Sequence, residues 1–117
     1  MRRASARGRI LPQWLSIDRR LGHVSLKAAH LFDLLWVNCD DQGRFSGDPE
    51  DIKHVACPNR DDITKVDIPQ LLVELDDQEL IKLYSTSKTR ALQMLDWWEV
   101  HRPQWAWPSQ YPPPEGW

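Results

Sequence analysis

Apolar residues recur with a helical period in three parts of the chain. The first part, residues 26–39, follows Ser25, whose hydroxyl suits the cap of a helix. It is apolar over most of its circumference, and only Lys27, His30 and Asp33 form a polar stripe. A helix with so little polar surface belongs at the centre of a domain.

A second, shorter helix is predicted to follow Asp48. The carboxylate of Asp48 can accept hydrogen bonds from the free N–H groups of the first turn, and Pro49 suits the first position because its missing N–H costs nothing there. Ile52, Val55 and Ala56 then form a one-sided apolar stripe. We therefore expect this helix to bury one face and to end before the next proline.

A third helix is expected to begin at Asp67, after a polar turn. Pro69 fits the first turn of a helix but not its interior, so a helix running through from residue 62 is disfavoured. The apolar stripe of this helix consists of Ile68, Leu71, Leu72 and Leu75. The second and third helices together predict a helix-turn-helix.

The period changes from helical to alternating after the third helix. Residues 80–85 alternate between apolar and more polar positions, and residues 91–97 do the same, with Leu92 and Met94 on one face. A turn at residues 86–89 joins the two runs into a hairpin. Because an isolated hairpin is marginal in water, it must pack on the helices.

The order of these elements indicates the fold class. A short strand at residues 44–46 lies between the first and second helices, and the hairpin follows the third. The prediction is an α+β fold of the winged helix-turn-helix type, with three main helices, a small β-sheet and a hairpin wing. We assign residues 10–102 to this domain, residues 1–9 to a disordered basic arm, and residues 103–117 to an extended tail.

The predicted tail is rich in proline and tryptophan. Five of the seven tryptophans lie in the last 21 residues. The prolines disfavour a regular helix or a central strand. The tail is expected to cover the domain's own core, to be exchanged with a second subunit, to meet a protein partner, or to stack on single-stranded bases. The residues assigned to an interaction are Trp105, Trp107, Tyr111 and Trp117.

Positive charge is concentrated outside the predicted third helix. The net charge of −2 gives no overall attraction for nucleic acid, and residues 40–79 hold twelve acids and only four bases. Residues 1–9, in contrast, hold four arginines and no acid. The third helix has no lysine or arginine, so phosphates would repel it. The candidates for DNA contact are Arg7 and Arg9 in the arm, Arg44 on the first strand, and Lys82, Lys88 and Arg90 on the wing. Ordinary solvated surface charge is the alternative.

The sequence contains no catalytic or metal-binding signature. The nucleophile-elbow, phosphate-loop and zinc-protease motifs are absent. His54 and Cys57 make one loose pair, whereas structural zinc usually takes four ligands. We therefore predict that the chain is not an enzyme and takes no metal, cofactor or small-molecule substrate.

The sequence also predicts the cellular compartment of the protein, through its N-terminal segment and the length of its apolar runs. No apolar run of about 18 residues is present, so no membrane span is predicted. No apolar segment follows the first arginines, so a secretory signal is not expected. Cys39 and Cys57 are then more consistent with reduced core thiols than with a disulfide. The predicted location is the cytoplasm.

Residues 40–49 carry a resemblance to a known family. Their sequence, DDQGRFSGDP, resembles a DD-x-GR-x-x-G-x-P segment. It is followed in order by the apolar stripe of residues 68–81, then Tyr84, Trp97 and residues 101–103 with the sequence HRP. This order is similar to the winged-helix N-terminal domain of phage and prophage replication proteins, including DnaD-like replisome organisers, over residues 10–112.

The resemblance implies a winged helix used for DNA binding and for self-association in replication initiation. Such relatives place a glycine between helix and wing where this chain has Glu79, so the turn differs or holds a strained residue. The first hypothesis is a DNA-binding module of replication or regulation that uses wing and arm. The second is a protein-interaction or self-association module that uses the acidic helix and the tail, with a second copy or a replication protein as its partner.

Overall fold

The computed structural model describes residues 8–103 and 105–117, so Arg7 lies outside the described residues. These residues form an α+β fold of four α-helices and a three-stranded antiparallel sheet, which confirms the predicted class at that level. Two short 3-10 helices, Gln13–Ile17 and Leu21–His23, precede the other elements. In chain order these are α1 (Leu26–Asn38), β1 (Arg44–Ser46), α2 (Pro49–Ala56), α3 (Ile68–Asp77), β2 (Ile81–Ser85), β3 (Arg90–Met94) and α4 (Trp97–Val100).

Helix α1 contacts both α2 and α3, which also contact each other. Its start is fixed by Ser25, whose Oγ accepts a hydrogen bond from the amide of Ala28 at 3.1 Å. Leu31, Leu35 and Trp36 are fully or almost fully buried. The helix ends at Asn38, one residue earlier than predicted.

Helix α2 begins as its sequence predicts but buries a narrower stripe. The carboxylate of Asp48 accepts a hydrogen bond from the amide of Glu50 at 2.8 Å. Ile52 and Ala56 are buried, whereas Val55 is 47% exposed, so the prediction of a core position was wrong for Val55. Because α2 has only eight residues and meets its neighbours along the line joining Ile52 and Ala56, Val55 is turned toward solvent.

Helix α3 begins directly after Asp67, where the sequence places its start. The carboxylate of Asp67 caps no helical amide. It accepts instead from the amide and the hydroxyl of Thr64, both at 3.0 Å, and so stabilises the preceding turn. Ile68, Leu71 and Leu75 are buried as predicted.

The connection from α3 to β2 turns sharply at Glu79. The amide of Glu79 donates to the carbonyl of Asp76 at 2.9 Å, and the amide of Leu80 donates to the carbonyl of Leu75 at 3.1 Å. This pair of bonds is a Schellman motif, which requires a left-handed residue, and Glu79 has φ of 57°. Of the two alternatives expected for this turn, a different turn or a non-glycine residue in the conformation of a glycine, the structure has the second.

The sheet has the strand order β1-β3-β2, and all pairs are antiparallel. One row across its inner face consists of Leu83, Leu92 and Phe45. The corresponding row across its outer face consists of Lys82, Gln93 and Arg44. The second hairpin strand ends at Met94 rather than at residue 97, because a turn follows it and Trp97 starts α4.

Trp97 closes the core at one end of the sheet. It has no exposed surface, its ring centroid lies 4.9 Å from that of Trp36, and its indole N–H donates to the carbonyl of Asp41 at 3.0 Å. Gly43 approaches the ring so closely that an added Cβ would lie 2.5 Å from it, and its φ is 77°. A glycine is therefore required at position 43.

Candidate nucleic-acid interface

The hairpin of β2 and β3 presents three of the predicted cations to solvent. Lys82 lies on β2, Lys88 in the connecting turn, and Arg90 at the start of β3, and all three are exposed. Within the described part of the chain, neither Lys82 nor Lys88 forms an ion pair, and the guanidinium of Arg90 lies 3.9 Å from the exposed carboxylate of Asp48. These charges are thus available to an anion.

The tip of the hairpin is fixed by hydrogen bonds. The hydroxyl oxygen of Thr86 accepts from the amides of Lys88 and Thr89 at 3.1 and 2.9 Å. The Thr86 hydroxyl itself donates to the carbonyl of Thr89 at 2.8 Å. Such a turn holds the backbone of Lys88 in one place, while its side chain stays free to reach a phosphate.

Arg44 does not belong to this exposed set, although the sequence suggested it. Only 7% of its surface is exposed. Its Nε donates to Oε1 of Gln93 at 2.7 Å, and its Nη1 donates to the carbonyl of Tyr111 at 3.1 Å. The tail covers the outer face of the sheet and encloses the guanidinium, so Arg44 cannot act as a surface cation in this arrangement.

Arg9 is also held by the domain, whereas the sequence predicted a free arm. Its guanidinium donates to the carboxylate of Asp41 at 2.8 Å and to the carbonyl of Cys39 at 2.9 Å. It also lies over the ring of Trp97, 5.4 Å from the centroid. The next residue is fixed too, because the indole of Trp36 donates to the carbonyl of Ile10 at 2.8 Å.

The outward side of α3, all of whose residues the structure describes, carries no cation. Gln70, Val73 and Asp77 are exposed on the helix, and Val66, just before it, is 84% exposed. This side is therefore apolar and acidic. A helix that enters the major groove normally presents cations and hydrogen-bond donors to phosphates and base edges, so α3 is a poor reader of duplex DNA.

The tail crosses the outer face of the sheet. The hydroxyl of Ser109 donates to the carboxylate of Asp40, and the phenol of Tyr84 donates to the carbonyl of Pro112 at 2.7 Å. Pro114 is buried and Tyr111 is half-buried. These contacts bind the tail mainly through its backbone and small polar groups.

The three tryptophans of the tail do not cover the core. Trp105, Trp107 and Trp117 are 61%, 64% and 47% exposed, so of the alternatives that the sequence left open, the structure excludes a cover for the domain's own core. The tail is secured by other atoms, and Trp97 fills the core instead. Trp105 and Trp107 contact each other edge to face, with ring centroids 4.4 Å apart and ring planes at 80°.

His101 is a contact residue that sequence reasoning missed as a site. Its ring stacks on Trp97 with centroids 4.0 Å apart, and its Nε2 accepts from the amide of Ile10 at 3.1 Å. Burial, and then the positive charge of Arg9, lowers the pKa of His101. A shallow cavity of about 300 Å³ is bordered by these residues and by Arg102. The sequence did contain a signal for this contact, because His101 follows Trp97 by four residues, a spacing that brings two side chains together across one helical turn.

Metal and membrane signals are also absent from the described part of the chain. No three His, Cys, Asp or Glu side chains there lie close enough together to hold a metal ion. His54 is exposed, whereas Cys39 and Cys57 are buried free thiols, and burial raises the pKa of both. None of the described helices has the length and apolar character needed to cross a bilayer.

Comparison with known proteins gives no relative. No protein-family model matches the chain, and no characterised protein or solved structure matches it. The choice among functions therefore depends on the geometry and chemistry of the surfaces described above.

Proposed function

We propose that the chain is a winged-helix DNA-binding module of the phage replication type, which contacts phosphates through its hairpin. The observation that carries the proposal is the exposure of Lys82, Lys88 and Arg90 on a hydrogen-bonded turn and its flanking strands. Three exposed cations on a fixed hairpin suit the backbone of DNA.

The element order supports a winged helix. A helix, a short strand, two further helices and a hairpin follow each other, and the short strand β1 pairs with the second hairpin strand, β3. In this arrangement α2 and α3 correspond to the helix-turn-helix and the β2–β3 hairpin corresponds to the wing. The resemblance of residues 40–49 to replication proteins points to the same arrangement.

The distribution of charge favours a DNA contact through the wing over one through α3. The exposed side of α3 offers Gln70, Val73 and Asp77, of which only the neutral amide of Gln70 can donate to a phosphate. Contacts made by the wing alone position a protein on DNA but read little sequence. We therefore expect binding that is weakly sequence-specific and that falls steeply as salt rises.

A binding experiment tests this assignment. Fluorescence anisotropy of a short labelled duplex at low salt should show binding by the full chain. The variant K82A/K88A/R90A should bind far more weakly. Its plot of log affinity against log salt should be shallower by about one unit for each phosphate that the protein no longer touches.

A charge-matched variant provides the control. Arg19, Lys27 and Lys65 are exposed cations outside the hairpin. R19A/K27A/K65A lowers the net charge as much as the hairpin variant does, so it should retain most of the affinity. Equal loss in both variants, or no binding of any duplex by the unmodified chain, would contradict the proposal.

Self-association is a second candidate, favoured by the exposed valines beside α3. Val66, in the turn before α3, and Val73, on α3, are 84% and 41% exposed, and exposed apolar side chains of this kind are suited to contact with a second copy. Sedimentation equilibrium should then show a dimer that V66S/V73S dissociates, while V55S, a change at an exposed valine on α2, leaves it intact. A monomer at all concentrations would exclude this candidate.

A further inference from the structure

We infer that Trp105 and Trp107, together with Arg102, form a stacking site for single-stranded nucleic acid, separate from the hairpin. This inference rests on the proposed function only in taking nucleic acid as the ligand. It adds a second binding surface, which prefers single-stranded nucleic acid, whereas the hairpin is proposed to bind duplex DNA.

Two hydrogen bonds to the domain hold the backbone of Trp107. The amide of Trp107 donates to the carboxylate of Asp41 at 3.0 Å, and its carbonyl accepts from the side-chain amide of Gln42 at 3.1 Å. Trp105 is held against Trp107 by the edge-to-face contact. The backbone of Trp107 is thus fixed before any ligand arrives, which reduces the entropy lost on binding.

The exposure of these rings is not explained by packing. Trp105 and Trp107 are each more than half exposed, although the same tail buries Pro114 and half-buries Tyr111 on the sheet. Large aromatic side chains left exposed on a fixed backbone are typical of sites that bind the face of another ring. Nucleic-acid bases offer such a face whatever their sequence.

The charges around the pair suit a polyanion. Arg102 is exposed and borders the same cavity as Asp41, whose carboxylate binds the amide of Trp107. Asp41, the acid that holds Trp107, is already bound to Arg9 at 2.8 Å. A phosphate backbone beside the stacked bases is therefore attracted rather than repelled.

The ring geometry favours a single strand over a duplex. The planes of the two indoles differ by 80°. Bases in a duplex lie parallel and cover each other, so they offer no free face to either ring. Bases in a single strand rotate independently, and two neighbouring bases can each stack on one indole.

Anisotropy of labelled oligo(dT) with the full chain tests the inference. W105A/W107A should weaken oligo(dT) binding by about tenfold or more, because stacking contributes about 1–3 kcal/mol per base. W105F/W107F should recover most of the affinity, since phenylalanine also stacks. W117A, which removes an exposed indole outside the pair, is the matched control and should change little.

Duplex binding measured on the same variants separates this inference from the proposed function. W105A/W107A should bind duplex DNA as the unmodified chain does, and K82A/K88A/R90A should lose duplex binding while keeping most oligo(dT) binding. Unchanged oligo(dT) affinity in W105A/W107A, or an equal loss in W117A, overturns the inference and leaves the hairpin proposal standing. A change of sedimentation mass in W105A/W107A without a change in oligo(dT) affinity overturns it too, and assigns the pair to contact between copies.

Discussion

Both faces of the sheet are covered, but by different chemistry. The inner face places Leu92 and its strand neighbours against the helices, and Leu92 has no exposed surface. The outer face places Gln93 and Arg44 beneath the tail, where they are also buried but hydrogen-bonded to each other and to backbone carbonyls. Apolar burial holds the first face, and satisfied polar groups hold the second.

This difference assigns different roles to the two faces. Separating the helices from the sheet would expose the core and unfold the domain. Lifting the tail would expose side chains that water can solvate, although Tyr84 and Ser109 would lose their partners. The tail is therefore the part of the fold that can carry an exposed binding site, such as the tryptophan pair, without destabilising the core.

Shortening a buried side chain on the inner face of the sheet should lower the stability of the protein more than any other change considered below. Leu92→Ala leaves a cavity among buried residues, and we expect it to lower the free energy of unfolding by about 2–5 kcal/mol. Urea denaturation measures this. Lys82→Ala, on the neighbouring strand but exposed, should change stability by less than about 0.5 kcal/mol. Similar losses in the two variants would contradict the assignment of an apolar inner face.

Disrupting the buried polar pair on the outer face should cost less. Gln93→Leu removes the acceptor of the Arg44 Nε and the donor to the carbonyl of Gln42. We expect a loss of about 1–3 kcal/mol, because the arginine stays buried with an unsatisfied N–H. The double variant R44L/Q93L should recover part of that loss, since it leaves no orphaned charge. A double variant less stable than Q93L would show that the two side chains are not coupled in this way.

Removing one hydrogen bond between the tail and the sheet should lower the free energy of unfolding less than the change at Gln93 does. Tyr84→Phe removes only the phenol that donates to the carbonyl of Pro112. We expect a loss of about 0.5–1.5 kcal/mol in urea denaturation. The tail should also be cleaved faster by a protease. Ser87→Ala, which removes an exposed hydroxyl from the hairpin turn, is the control and should leave both measurements unchanged. If the protease cleaved the tail of Y84F no faster than that of the unmodified chain, contacts other than the Tyr84 hydrogen bond would hold the tail on the sheet.

Local patterns predicted the inner half of this fold well. The apolar period placed Leu31, Leu75 and Leu92 in the core, and the caps at Ser25 and Asp48 follow from side-chain chemistry within a few residues. These features depend on neighbours in sequence, so one sequence is enough to find them.

The outer face and the candidate sites depend on contacts that no local pattern contains. Arg44 is buried because a carbonyl 67 positions away receives its N–H, and Ile10 is held by a histidine 91 positions away. The alternation of apolar and polar residues could not predict that the second hairpin strand ends before Trp97. The indole N–H of Trp97 is buried against the carbonyl of Asp41, which is distant in sequence. Composition alone left several roles open for the tryptophans of the tail, because it does not show which atoms of the tail contact the sheet.

The two turns that lead into the sheet share a backbone conformation but differ in residue type. Gly43 precedes β1 and Glu79 precedes β2, both with positive φ, but only the first is a glycine. The left-handed conformation strains a residue that has a Cβ, so Glu79→Gly should raise the free energy of unfolding by up to about 1 kcal/mol. Gln78→Gly is the matched control. Gln78 has φ of −88°, so glycine there only adds chain entropy and should destabilise by about 0.5–1 kcal/mol. Urea denaturation should therefore give opposite signs for the two neighbouring changes, and equal signs would mean that the turn at Glu79 is not strained.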